Sequence, residues 1–189
     1  WVGSVDGHVY RFDPANGHFT NVPFPGRDDG RFSSDRIWYF GEGPDGRIWL
    51  STLDELVALD PRSATVVERI HASDRMPLGI SAALRTSLVD SDGVLWFGGT
   101  GAGLVRYETG KGITAYISQD PSDPASLSDN GVRSLYESSA GTLWVGTQNG
   151  LDRMSSEDRR AGRNRFKLTT RRDGLPDNTV YGILPDPRG

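Results

Sequence analysis

The chain contains no cysteine, which removes disulfides, thiolate metal sites and a cysteine nucleophile together. Long apolar runs are missing too: nothing approaches the roughly 20 residues of a membrane-spanning helix. No apolar stripe recurs with helical period, so helical bundles and helical repeats do not suit it. Histidine is scarce, at three residues (His8, His18 and His71), and no pair has metal-ligand spacing. There is no excess of positive charge either. The formal net charge of −4 gives no electrostatic reason to expect nucleic acid. Gly-x-Ser-x-Gly elbows and phosphate loops are absent.

What the chain has in quantity is turn chemistry. Its 24 glycines and 11 prolines are too many for a helical protein and fit a fold with many tight turns. It begins at Trp1, inside a motif and without an initiator Met, so further sequence is expected to precede it.

Trp1, Trp49, Trp96 and Trp144 lie 48, 47 and 48 residues apart. A second series keeps step just upstream of each later Trp, at Gly46, Gly93 and Gly141, and continues at Gly189. A hydrophobic pair after a tight turn follows, as in Gly103-Leu104-Val105 and Gly150-Leu151. A period near 47 residues suits four-stranded propeller blades. The third unit divides into Leu84–Val89, Val94–Gly98, Gly103–Tyr107 and Ile113–Ile117. The fourth divides into Val132–Glu137, Thr142–Thr147, Gly150–Met154 and Arg165–Thr169. These are strands A to D, from channel to rim.

The expected fold is therefore an all-β propeller with four repeats, 1–48, 49–95, 96–143 and 144–189, each a four-stranded antiparallel blade, forming part of a larger ring. The first unit opens at strand B. A spare strand A, Thr179–Leu184, is expected to be the innermost strand of a further or ring-closing blade. Gly46, Gly93 and Gly141 supply the positive φ of the A–B hairpin. Each strand-B Trp is expected to wedge, largely buried, between neighbouring blades, where truncation typically costs about 3–5 kcal/mol.

Asn130-Gly131-Val132 followed by Gly141-Thr142-Leu143-Trp144-Val145-Gly146-Thr147-Gln148-Asn149-Gly150-Leu151 resembles the two-component regulator propeller repeat. The segment from Asp173 through Gly174-Leu175-Pro176-Asp177-Asn178-Thr179-Val180 to Leu184 resembles the opening of another. The likeness is weaker in the first two units. It implies a periplasmic, membrane-anchored ligand-binding sensor region. The implied output module, a histidine kinase or a GGDEF diguanylate cyclase, is not in this chain. The implied partners are a small-molecule or oligosaccharide ligand, other propeller repeats and signalling modules of the parent protein, and a second copy in a homodimer. No cofactor, metal or nucleic acid is expected.

One repeat slot stands out as a ligand-lining candidate. Eight residues before each marker glycine lie Trp38, Arg85, Arg133 and Tyr181, beside a slot that is always apolar: Ile37, Leu84, Val132 and Val180. Aromatics stack on sugar faces and arginines pair with carboxylates, so these four are expected to ring the channel mouth. A solvated channel with packing arginines is the rival reading. Asn130 and Asn178, with Asp35, are expected to cap the D–A turn.

Asp90-Ser91-Asp92-Gly93 reads as a turn, since it lacks the later ligands of a calcium loop. The basic run Arg159, Arg160, Arg163, Arg165, Lys167, Arg171 and Arg172 reads by default as a solvated C–D loop and outer strand, away from the mouth. Two other function classes remain open. One is a protein-interaction propeller. The other is an enzyme like the streptogramin lyases or the carbohydrate-active propellers, for which the sequence offers neither converging carboxylates nor a metal site.

Overall fold

The structure is a computed structural model that describes residues 1–23, 36–52, 55–71 and 84–186. It comprises two compact units, Trp1–Leu84 and Arg85–Gly189.

In the first unit, β1 (Val2–Gly3), β2 (Val9–Asp13) and β3 (His18–Val22) form a three-stranded antiparallel sheet. β4 (Tyr39–Glu42), β5 (Ile48–Ser51), β6 (Glu55–Asp60) and β7 (Thr65–His71) form a four-stranded one. In the second unit, β8 (Leu84–Val89), β9 (Leu95–Gly99), β10 (Gly103–Glu108) and β11 (Gly112–Ile117) make one sheet. β12 (Ser134–Glu137), β13 (Leu143–Gly146), β14 (Leu151–Met154) and β15 (Lys167–Thr169) make the last, with a short helix α1 (Ser156–Arg160) between β14 and β15. All four are meanders, in which each strand pairs with its sequence neighbour. The A–B hairpins turn at Gly46, Gly93 and Gly141, with φ of 75°, 76° and 76°, a region that costs a side-chain-bearing residue strain.

Consecutive sheets within a unit share a core. Val9 and Val22 of the first sheet pack with Leu50, Val57 and Leu59 of the second. Trp96 and Leu104 of the third pack with Val132, Leu143, Val145 and Met154 around the fourth. Alternation along the strands sends every second side chain into these layers.

The closest approach recurs two residues after each strand-B Trp. There stand Gly3, Ser51, Gly98 and Gly146. A methyl built on Gly3 would sit 2.7 Å from Ile37 Cβ, on Gly98 2.8 Å from Val132 Cβ, and on Gly146 2.8 Å from Val180 Cγ1. Ser51 instead donates its hydroxyl to the Leu84 carbonyl at 2.8 Å. The partner is in every case the apolar strand-A slot of the following repeat. Its backbone N–H completes the joint, from Ile37 to Ser4 O at 3.2 Å, Val132 to Gly99 O at 3.0 Å and Val180 to Thr147 O at 2.9 Å.

Several expectations need correction. Trp49 and Trp96 are buried on second strands, but Trp144 on β13 and Trp1 just before β1 are only half-buried. Arg153 lies 5.8 Å above the Trp144 ring, so a cation covers the face that packing leaves open. Residues 179–184 form no strand, and Tyr181 and Leu184 are exposed. Val180 docks through the joint above, and Thr179 Oγ1 donates to Gln148 O at 3.5 Å. Glu55 replaces the B–C glycine of the second repeat without a positive φ. It is a buried carboxylate bonded to Arg69 at 2.5 Å. His71 ends β7 rather than lying in a loop.

Gly98→Ala is expected to destabilise the chain by about 1–3 kcal/mol through overpacking, with Val132→Ala in the same chain restoring part of the loss. Urea denaturation of both single variants and the double variant checks this; additive losses would refute the joint.

Candidate functional site

Strand A delivers the candidate slot mechanically. Its apolar residue is held in the inter-sheet joint, so the next side chain must leave on the opposite face. Trp38 N–H bonds Ser51 O at 2.9 Å and Arg133 N–H bonds Gly146 O at 2.8 Å, which fixes both backbones. In the first unit Trp38 is half-buried, with the Arg36 guanidinium 4.8 Å above its ring. In the second, Arg85 is exposed on β8, Arg133 is half-buried before β12, and Tyr181 is 73% exposed. Within the second unit, Arg133 lies 4.7 Å above the Tyr181 ring. Arg133 Nε is shut off from solvent and donates to no protein acceptor.

The turn caps are where the repeat places them. Asn130 Oδ1 accepts the Gln119 N–H at 2.8 Å, and Asn178 Oδ1 accepts the Arg171 N–H at 2.9 Å. Asp35 lies outside the described residues. His8 is half-buried with Nδ1 3.2 Å from Asp6, and His18 is exposed on β3. Among the described residues no three metal-ligating side chains converge.

The basic run does not behave as one solvated loop. Arg159, on α1, is buried with its guanidinium on Asp90, on Asp92 at 3.0 Å and on Glu137 at 2.7 Å. Asp90 is itself buried and accepts the Trp96 indole N–H at 2.8 Å and the Val94 N–H at 2.9 Å. The turn Asp90–Gly93 therefore seats a cation, an arginine from the next repeat. Arg160 reaches Asp92 and Arg163 pairs with Glu157 and Asp158. Arg171 and Arg172 lie on the D–A loop beside Asn149, at the loop end of the sheet rather than away from it.

A second polar cluster escaped sequence reasoning. Asp152 on β14 fills the strand-C slot that Val57 and Val105 fill in the second and third repeats. It is fully buried. Ser128 Oγ stands 2.6 Å from its Oδ2 and 2.9 Å from Thr147 Oγ1, and Thr147 Oγ1 donates to Gly150 O at 3.0 Å. Burial pushes the Asp152 carboxyl above its ordinary range, against the Ser128 hydrogen bonds. The Ser128 N–H also bonds the same Oδ2 at 3.1 Å, and the Thr147 N–H bonds Gly150 O at 3.0 Å. The signal was present in the sequence as a lone carboxylate in a slot that holds valine in the second and third repeats.

The four meander sheets define a β-propeller fold. Solved propellers are similar: the extracellular domain of the hybrid two component system BT4673 from B. thetaiotaomicron matches 99% of this chain with a TM-score of 0.69 and 21% identity. Virginiamycin B lyase from Staphylococcus aureus matches 94% with a TM-score of 0.63 and 14% identity. At these identities the likeness shows the fold. Residues 126–149 match the two component regulator propeller family, which bears out the resemblance drawn from Asn130 to Leu151. Histidine kinase P4 of Formosa agariphila is 29% identical over 112 residues, 59% of this chain. The chain spans 8% of that kinase, 23% of the BT4673 domain and 53% of the lyase.

Replacing Arg159 by Met is expected to cost about 3–5 kcal/mol, because it strands a buried carboxylate, whereas Arg160→Ala should cost at most about 1 kcal/mol; urea midpoints distinguish the two. Asp152 contributes stability below its unfolded pKa that is lost as pH rises through its raised folded value. Asp152→Asn should therefore gain stability relative to the natural chain as pH rises above the ordinary carboxylate range. A difference that stays flat with rising pH would refute the raised carboxyl.

Proposed function

We propose that this chain is the sensory part of a membrane-anchored signalling protein, with its four sheets belonging to a larger propeller ring on the periplasmic side. It binds a small molecule or oligosaccharide through the strand-A slot. The Arg133–Tyr181 pair carries the reading. Packing needs only the apolar partner of each slot, yet the neighbouring position holds Trp, Arg, Arg and Tyr, none of them fully buried. Leaving Arg133 Nε unpaired costs folding about 1–3 kcal/mol, which a residue kept for stability alone would not impose. A guanidinium stacked on a phenol keeps its outer N–H edges free for a planar anion while the exposed ring offers a face to a sugar.

Further support comes from the two component regulator propeller repeat and from the kinase and sensor-domain relatives. A lyase-type reaction has less behind it. The likeness to virginiamycin B lyase is one of fold, and His8 and His18 fall on separate strands or turns of the first sheet. No helix among the described residues is long and apolar enough to cross a membrane, so the anchor is assigned to other parts of the parent protein.

Arg85→Ala and Arg133→Ala are each expected to weaken binding of an acidic oligosaccharide by about 1.5–3 kcal/mol, the worth of a charged hydrogen bond. Isothermal titration against oligogalacturonate and a neutral malto-oligosaccharide checks this. Equal affinity of the natural chain and both variants would overturn the assignment of the slot.

A further inference from the structure

The D–A loops of the third and fourth repeats begin alike. β11 leads through Ser118 to Gln119 and Asp120; β15 leads through Thr170 to Arg171 and Arg172. The registers match, since Leu104 pairs with Ile117 and Leu151 with Thr169. In both loops the capping asparagine takes the same backbone N–H, Gln119 in one and Arg171 in the other, although the asparagine stands 11 residues on in the third repeat and 7 in the fourth. The capping contact is shared and the charge is reversed.

The loop end of the fourth repeat holds a cleft of about 310 Å³ lined by Asn149, Thr170, Arg171, Arg172 and Asn178. Its backbone is set in advance. Thr170 and Asp173 cap the turn reciprocally, Gly174 adopts φ 101°, and Leu175 N–H returns to Thr170 O at 3.1 Å. The local acid is occupied, because one Asp173 oxygen accepts both the Thr170 N–H and hydroxyl at 2.9 Å. Asn178 takes the Arg171 N–H on its oxygen, and its Nδ2 group remains a donor. Among the described residues neither the Arg171 nor the Arg172 guanidinium has an ion-pair partner, whereas Arg159, Arg160 and Arg163 of the same run all do. Two exposed arginines without a salt bridge and an asparagine amide line a preformed cleft in a chain of net charge −4, and the Thr170 hydrogen bonds, with the Lys167 and Arg172 charges, hold the neighbouring Asp173 carboxyl below its usual range.

We infer that this cleft is an oxyanion site, which takes the carboxylate or sulfate group of an acidic ligand. Planar guanidinium forks match such groups bidentately, and the preset loop spares the ordering cost of binding. The site uses none of Trp38, Arg85, Arg133 and Tyr181, so it stands or falls apart from the strand-A slot.

The test is titration of the 189-residue chain with inorganic sulfate and with oligogalacturonate, followed by calorimetry and by amide NMR shifts. Both probes are to be run against R171Q/R172Q, R160Q and R133A. The double variant should fold, because backbone N–H groups and not these side chains hold the loop. The expected result is saturable binding with shifts centred on Asn149, Arg171, Arg172 and Asn178. Affinity should fall at least tenfold in R171Q/R172Q and hold in R160Q and R133A. Binding of sulfate alone assigns the site to a free oxyanion; tighter binding of oligogalacturonate assigns it to a carboxylated glycan. Failure of both probes to bind, binding unchanged in R171Q/R172Q, or an equal loss in R160Q would overturn the inference. A loss confined to R133A would overturn it too, while supporting the strand-A slot.

Discussion

Within each unit, one repeat is joined to the next by a contact between a glycine and an apolar residue. Gly3, Gly98 and Gly146 let Ile37, Val132 and Val180 press directly on strand B, and a backbone hydrogen bond from the same residue locks the approach. The second repeat uses Ser51 and a hydroxyl bond to Leu84 O for the same purpose. Everything that follows depends on this joint. It defines which face of strand A is core, and so which residue is pushed out into the candidate slot. It also brings the loops of neighbouring repeats close enough for side chains from one to serve the other, as Arg159 serves Asp90.

Much of this was legible because a repeat reports its own structure. Strand A of the third unit, Leu84–Val89, runs as its pattern predicts, and the fourth-unit strands are present but shorter at their ends. The hairpin glycines and the asparagine caps are local chemistry, and local chemistry can be read from a few adjacent residues. Periodicity could not anticipate what departs from it. Trp144 keeps the phase of Trp49 and Trp96 yet is half-buried, because burial depends on what packs against it and not on its slot.

The candidate sites divide along the same line. The slot that carries Arg133 and Tyr181 emerges from aligning four units, but their stacking is a fact of geometry. The basic run looked uniform because its nearest acids in sequence are few. Its partners Asp90, Asp92 and Glu137 come from far along the chain, and sequence distance concealed them. Asp152 was open to view, as the one carboxylate in a column with Tyr10, Val57 and Val105, and only its burial turns that oddity into a hydrogen-bonded cluster with Ser128 and Thr147.

The cluster around Arg159 sits at the hairpin end of the third and fourth sheets, where the A–B turn of one meets the helix of the other. The B–C and D–A loops, with Asn149 and Arg171, lie at the opposite end of the same strands. The two sheets are thus fastened at both ends of their strands, by the Arg159 ion cluster at one and by the Gly98–Val132 joint and the Gly103 N–H bond to Asn130 O at the other. A plate riveted at both margins resists twisting, so the loops of this pair are carried on a stiff base.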